Sequence, residues 1–598
     1  MFTPHLSDLK HALDDINAFG VLVDANQFPD LSIDLVDAVL TEAGRFAAEV
    51  LAPVNRPGDV EGCRFDADAH SVTTASGWRD AYRQWREAGW AALPCAPEYG
   101  GQGLPISIGL AVQELWNTAA SAFGIGTLLT QGAVEALVSH GSDELKARYL
   151  PQMVAGDWTG TMNLTEPHAG SDLSQIRTRA EPAGDGTYRI TGTKIYITHG
   201  EHDLTENIIH LVLARLPDAP EGTRGISLFL VPKFHVDDDD GSLGARNDVK
   251  CIGIEHKMGI HGSPTCTMRY GDDGGAVGWL VGEENKGLNC MFTMMNNARL
   301  HVGMQGVAVA ERACQQALAY ANERKQGRGR NGDGSVPIIE HADVRRMLLD
   351  MKARTAAARA ICYETARALD LAHFATDAAE RDANAALGAL LTPVAKAFGT
   401  DNGVEVASIG IQIHGGMGFI EETGAAQHMR DARITPIYEG TNGIQALDLV
   451  ARKLPLENGD TLKRYLADKR QLAAELTEAG NDDLSRTAAK LETAIAALET
   501  ATDFIAGHLQ TRDERAIALA TPYLQLFGLT AGGAGLARGA LAAAERMNNN
   551  EDALRIRLAR YFADVHLPHT AALRDAVVEG ADTLVGTTPE LLNATGGL

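Results

Sequence analysis

Four separated segments of the chain carry side chains whose types and spacing could do chemistry. The first, Met162-Asn-Leu-Thr-Glu-Pro-His-Ala-Gly-Ser-Asp172, reads as a strand running into a loop. Its backbone amides and the hydroxyls of Thr165 and Ser171 form a close array of hydrogen-bonding groups. In the second, Lys194-Ile-Tyr-Ile-Thr-His-Gly200, Tyr196 and Thr198 fall at i and i+2 and therefore on one strand face. That pair could wall one side of a flat ring and hydrogen-bond its edge. In the third, Gln412-Ile-His-Gly-Gly-Met-Gly418, a helical run breaks at Gly415 and Gly416. There the backbone can approach a ligand or take positive φ, although a plain helix C-cap reads the same way. The fourth, Ile437-Tyr-Glu-Gly-Thr-Asn-Gly-Ile-Gln-Ala-Leu-Asp448, sets Glu439 just ahead of Gly440. Its Thr-Asn pair can cap a helix beginning near Ile444, and alone Glu439 could simply serve that helix's macrodipole.

Three changes of pattern say which elements position these segments. Residues 1–157 are helical in period, with apolar residues three and four apart in 34–50 and 143–154. Residues 158–282 switch to a period of two, with β-branched and aromatic runs at 188–198, 208–216 and 226–234 that read as a β-barrel or sandwich. Residues 283–455 return to long Ala-rich helices, interrupted at 327–337 by a Gly-rich loop. Residues 456–598 form a fourth block, again helical and Ala-rich. The expected fold is thus mostly α with a central β domain: an N-terminal helical domain, a β-barrel domain, a helical bundle and an extra C-terminal helical domain.

Composition excludes several functions. The 598 residues hold 78 Asp plus Glu against 53 Lys plus Arg, a net charge of −25, which disfavours nucleic acid as a partner. Seven cysteines with no CxxC pair suggest no disulfide framework and fit a reducing cytoplasm. The start lacks a secretory pattern, and no uninterrupted apolar run approaches about 20 residues, so no membrane span is expected. Gly532-Gly-Ala-Gly-Leu-Ala-Arg-Gly539 looks like a dinucleotide loop but follows no strand, and reads better as small residues for close helix packing. His199, His202 and His210 read as surface or hairpin histidines, not metal ligands, and no metal site is expected. Cys290 and Cys314 read as buried helix positions.

Taken together, order and spacing resemble the acyl-CoA dehydrogenase family over residues 35–455. Thr165–Asp172 is similar to its Thr-Glu-Pro-x-Ala-Gly-Ser-Asp loop, Tyr196-Ile197-Thr198 to its aromatic-Ile-Thr strand, and Lys257-Met258-Gly259 to its Lys-Met-Gly step. Gln412–Gly416 resembles its Gln-x-x-Gly-Gly turn, and Met429-Arg430-Asp431-Ala432 followed by 437–441 its signature ending in Tyr-Glu-Gly-Thr. The length resembles the long bacterial forms, including the 3-methylmercaptopropionyl-CoA dehydrogenase group.

The resemblance implies FAD-dependent oxidation of an acyl-CoA thioester to the trans-2-enoyl-CoA. It implies Glu439 as the base for the α-proton, with the β-hydrogen leaving as hydride to the flavin. Carried over position by position, Met162, Leu164, Thr165, Ser171, Tyr196, Ile197 and Thr198 would contact the flavin, followed by Thr441 and Gly443. Arg324, Gln412, Gly415 and Gly416 would reach the adenine end of FAD held by another subunit, so a homodimer or larger homo-oligomer is implied. Ser171, Asn296, Arg299 and Gly440 would meet the acyl-CoA, and electron-transferring flavoprotein would take the electrons. A sister activity, acyl-CoA oxidase, is disfavoured by Ala169-Gly-Ser-Asp172. A DNA-associated alkylation-response flavoprotein would need a basic C-terminal region, but residues 461–598 hold 14 Lys plus Arg against 18 Asp plus Glu.

Overall fold

The protein is described by a computed structural model covering residues 2–594 except 29, 238–239, 330–333 and 547, and excluding the Asn296 side chain. It divides into two compact units, Glu42–His301 and a second formed by Thr3–Thr41 with Val302–Leu598.

In the unit Glu42–His301, helix α1 (Ile106–His140) is broken at Ala120, whose backbone is extended (φ −154°, ψ 85°). Its two limbs are tied side by side: the Gln113 amide donates to Thr127 Oγ1 and Gln131 Oε1, each at 3.3 Å. Helix α2 (Asp143–Ala155) starts at Ser142, whose hydroxyl accepts the Leu145 N–H, and stops at Gly156 in the left-handed region. The strands follow: β1 (Trp158–Asn163), β2 (Arg179–Pro182), β3 (Tyr188–Thr198), β4 (Asn207–Ala214), β5 (Ser227–Pro232), β6 (Val249–Ile254), β7 (Thr265–Tyr270) and β8 (Ala276–Val281). They pair in the order β6-β7-β3-β8-β5-β4-β1, with β2 also on β3. Among these strand pairs, β1 with β4 alone is parallel. Every residue of β1, β4 and β5 is buried, because one face meets α1 and α2 and the other a second apolar core.

Helix α3 (Gly287–Glu323) begins in this unit and ends in the other. There it joins α4 (Ala342–Phe374), α5 (Ala378–His414) and the short α6 (Asn442–Asp448). Gly303 and Gly306 of α3 bring its backbone onto α5: a methyl on Gly306 would stand 2.3 Å from the Gly399 carbonyl. The interruption at 327–337 is less irregular than expected, since Lys325–Arg328 and Ser335–Pro337 pair as a short antiparallel ribbon.

The last block is helical throughout: α7 (Asp460–Glu478), α8 (Asp482–Thr511), α9 (Ala520–Arg546), α10 (Asn550–Val565) and α11 (His569–Val585). The Gly-rich run lies inside α9, where Gly532 and Gly535 face Ala357 and Ala360 of α4, as expected for close helix packing. Helices α1 and α9 are long and apolar enough to cross a bilayer, but 83% and 72% of their most apolar windows are buried inside the protein.

The first residues of the chain pack on the last block. Asp15 pairs with Arg546 through two contacts of 2.5 and 2.6 Å, and Arg555 donates to the Ser7 carbonyl at 3.1 Å. His11 sits on Gly539, where a methyl would stand 2.5 Å from its ring.

Candidate active site

The loop candidates leave the end of β1. Met162 is buried, Leu164 and Thr165 are half-buried, and Ser171 is exposed. What fixes this loop is an ion pair beneath it. Lys194, fully buried on β3, donates to Glu166 Oε1 at 2.9 Å and to the Leu164 carbonyl at 3.0 Å. Glu166 also accepts from the Arg177 and Thr178 N–H groups and the Thr178 hydroxyl. Burial works against its charge, but Lys194 and these bonds outweigh that and hold it below the usual carboxylate range. Burial pulls the Lys194 ammonium down to about 8. Both residues stand in the quoted motifs, and their opposite charges on adjoining segments were the available signal.

The strand candidates lie on β3, joined to the loop by the Ile195 N–H donating to the Thr165 carbonyl at 2.9 Å. Ile197 pairs with Cys266 and Lys194 with Met268, so Ile195 and Tyr196 together oppose Thr267 alone. This is a β-bulge with Tyr196 at φ +60°, which re-aims its side chain and leaves it 60% exposed. Ile197 is buried in the sheet core, and the Thr198 carbonyl accepts from the Thr161 hydroxyl at 2.7 Å.

In the other unit, Glu439 and Gly440 are consecutive left-handed residues at φ +55° and +82°. The turn they make is held from several sides. The Tyr438 hydroxyl donates to Gln305 Oε1 at 2.6 Å, and burial pushes its pKa up. Thr441 caps α6 by accepting the Ile444 N–H at 3.2 Å. Lys396 Nζ donates to the Gly440 carbonyl at 2.9 Å and to Asn442 Oδ1 at 2.8 Å. The Asn442 amide donates in turn to Asp401 Oδ1 at 2.7 Å and to Thr400 Oγ1 at 3.0 Å. Gln445, wholly buried, reaches the Glu439 and Gly440 carbonyls at 3.4 Å. Gly443 is exposed.

The Gly-Gly turn is built differently. Helix α5 ends with Gly415 at φ +61°, and nothing lies within 4 Å of where a side chain would start on Gly415 or Gly416. Gln412 is exposed, and Phe419 just beyond is 85% exposed. His414 stacks on Tyr320 with ring centres 4.5 Å apart. That contact brings the last turn of α5 against the last turn of α3, after which Arg324 lies exposed with Nη2 3.4 Å from Gln326 Oε1. Arg324 and Gln412–Gly416 therefore share one end of the bundle. Of the remaining candidates, Arg299 is buried on α3, and the Asn296 side chain lies outside the described residues.

The structure corrects the histidines. His199, His202 and His210 are not at the surface; all three are at most 2% exposed. For His210 on β4, a period of two marks which residues share a face but not which face is buried; His199 and His202 lie in the connection after β3, which packs inward on Gly126 and Thr159. Burial, helped by Lys257 at His199 and by Lys233 and Arg246 at His210, pulls His199 and His210 down to about 3. His202 accepts the Leu204 N–H on Nδ1 at 3.2 Å and meets Thr159 Oγ1 through Nε2 at 3.0 Å, so both nitrogens are occupied. Cys290 and Cys314 are buried as expected, and burial pushes the Cys314 thiol up to about 12. Among the described residues one group, His5, Asp8 and Glu311, has ligand atoms close enough for a metal. Its Glu311 is already paired with His5 at 2.7 Å and Arg359 at 3.0 Å.

The chain matches known proteins along most of its length. Residues 36–157, 161–272 and 285–454 match the family models for the N-terminal, middle and C-terminal domains of acyl-CoA dehydrogenases. Residues 465–588 match the model described as acetyl-CoA dehydrogenase C-terminal like. The 3-methylmercaptopropionyl-CoA dehydrogenase of Ruegeria pomeroyi is 45% identical over 584 residues, covering 97% of this chain and 98% of that protein. A butyryl-CoA dehydrogenase of Syntrophomonas wolfei is 39% identical over 77% of each chain. The crystal structure of Caenorhabditis elegans ACDH-11 in complex with C11-CoA superposes with a TM-score of 0.78 at 21% identity, over 96% of this chain and 95% of that one. The chain belongs to the acyl-CoA dehydrogenase family and is an oxidoreductase of that family.

Proposed function

We propose that the protein is an FAD-dependent enzyme that converts an acyl-CoA thioester to its trans-2-enoyl-CoA, with Glu439 taking the α-proton. The observation that carries this reading is the Glu439 turn itself. A carboxylate is presented by two left-handed residues whose carbonyls are gripped from behind, in a chain of this family. A base must be fixed against a weakly acidic C–H, and a rigid turn supplies that. In the step, the α C–H bond breaks and its proton passes to a Glu439 carboxylate oxygen. The Glu439 backbone N–H serves as a donor to the thioester carbonyl, where negative charge develops.

The residues present fit FAD. The Thr165 and Thr198 segments are tied together, Tyr196 offers an exposed aromatic face, and Gly415 and Gly416 leave open space that a Cβ would fill. Met162, Leu164, Thr165, Ser171, Tyr196, Ile197, Thr198, Thr441 and Gly443 would hold the flavin half. Arg324, Gln412, Gly415 and Gly416 would serve the adenine end in a second copy of the chain, which makes the working form a homodimer or larger. When bound, FAD supplies the two-electron acceptor for the β-hydrogen. Ser171, Asn296, Arg299 and Gly440 would line the acyl-CoA site.

For the acyl group, 45% identity along nearly the whole length makes 3-methylmercaptopropionyl-CoA the first substrate to try, ahead of straight chains. Electron-transferring flavoprotein is the proposed acceptor and the cytoplasm the proposed compartment, the latter supported by seven free cysteines. Four functional blocks, 1–157, 158–282, 283–455 and 456–598, are proposed along the chain. The test is anaerobic bleaching of the flavin by a panel of acyl-CoAs. Bleaching by 3-methylmercaptopropionyl-CoA supports the reading, and no bleaching by any thioester overturns it.

A further inference from the structure

Lys396 lies in the interior of α5, forty-three positions before Glu439, and is 0% exposed. Taking an ammonium out of water is costly, so a buried lysine needs strong acceptors. Two of its acceptors belong to the base turn: the Gly440 carbonyl at 2.9 Å and Asn442 Oδ1 at 2.8 Å. The contact is rigid at both ends. On the lysine side, a methyl on Gly303 would stand 3.1 Å from the Lys396 Cα, so α3 backs directly onto α5 at this residue. On the turn side, the Asn442 amide is held by Asp401, Thr400 and the Ala397 carbonyl, all from the same stretch of α5.

The geometry of the turn explains why such a grip is useful. Left-handed φ at Glu439 is disfavoured for a residue with a Cβ, and Gly440 continues the reversal at φ +82°. The reversal takes the Gly440 carbonyl out of any helical ladder, and a charge-assisted bond is the strongest way to fix it. Whatever fixes that carbonyl also fixes the direction of the neighbouring Glu439 side chain.

We propose that Lys396 is a positioning residue for the base: by gripping the Gly440 carbonyl and Asn442 it sets the Glu439 turn, and so the point at which the carboxylate meets the α-proton. This rests on the acyl-CoA dehydrogenation reading above. Displacing a reacting group by about 1 Å can cost on the order of a hundredfold in rate.

The test uses the full-length, FAD-loaded enzyme and the variants Lys396→Met, Lys396→Arg and Glu439→Gln. Two readouts are taken per bound flavin. One is single-turnover flavin reduction with α-protio and α-deuterio thioester. The other is NMR-detected exchange of the α-protons of 3,3-dimethylbutyryl-CoA into D2O, which needs no β-hydrogen. Lys396→Met is expected to slow both by roughly a hundredfold and to raise the α-deuterium effect, with KM little changed and with at least about tenfold recovery in Lys396→Arg. A folded Lys396→Met enzyme within about threefold of the parent in both readouts overturns the proposal, as does a slower one with an unchanged isotope effect. If Lys396→Met does not fold, Asn442→Ala removes one of the two acceptors that Lys396 grips and is read by the same criteria. Loss of activity in Glu439→Gln with none in Lys396→Met defeats this proposal alone; an active Glu439→Gln defeats the underlying reading.

Discussion

Within one unit, the Glu439 turn and the Gly415–Gly416 turn are both sharp reversals that use left-handed residues, yet they are finished in opposite ways. The first is enclosed: Lys396 and Gln445 of the same chain take up its carbonyls, Asn442 ties it to α5, and Thr441 caps its helix. The second is open, with bare backbone at Gly415 and Gly416 and Phe419 projecting beyond it. The carboxylate proposed to take the proton is fixed by residues the chain itself provides. The turn assigned to the adenine end is left to be completed from outside. A reacting carboxylate gains from preorganisation before substrate arrives, whereas a binding turn can be ordered by what it binds.

Mutations on the two sides of this contrast should therefore separate. The largest effect is expected for Glu439→Gln, which keeps the turn and bound FAD but lowers flavin reduction by about 10²–10⁴. Stopped-flow bleaching of the purified yellow protein checks it, and near-parent rates would remove the base assignment. Next is Gly416→Val at the open turn. It is expected to retain the parent melting temperature but to weaken FAD retention by on the order of tenfold, about 1.4 kcal/mol, seen by fluorimetric titration of the apoprotein. Retention at the parent level would show that the turn does not carry cofactor. Gly440→Ala tests the enclosed side: forcing an L-residue to φ +82° costs roughly 1–2 kcal/mol of stability, measured by denaturant melts. Smallest is Phe419→Ser, expected to shift monomer stability by less than about 0.5 kcal/mol while lowering the apparent mass in sedimentation. An unchanged mass would show that Phe419 does not hold the proposed second copy.

The same contrast explains what could be read from the sequence. Both turns announce themselves because reversals need Gly, Thr and Asn at fixed places, and the three changes of period outline the helices and strands. The supports behind them do so only in part: Thr441, Asn442 and Gln445 stand in the fourth segment, but Lys396 does not. Lys396 stands in an Ala-rich helical run where nothing distinguishes a buried ammonium from a solvated one. The bulge at Tyr196 depends on the partner strand offering Thr267 alone, which is a property of register and not of β3. The burial of His210 likewise follows from which side of the sheet receives the second core. The motifs thus hold the turns and some of their supports, Lys194 and Glu166 included, while Lys396 is hidden in unremarkable sequence.

The pairing of the chain's first residues with its last helices sets a timetable. Asp15 and Arg546 are 531 positions apart. At roughly 5–20 residues per second of synthesis, the N-terminal segment waits about half a minute to two minutes before its partner exists. During that interval the face formed by His11 and Asp15 is uncovered, and a chain stopped before α9 never covers it. The docked segment thus serves as a seal that can close only once α9 and α10 have been made.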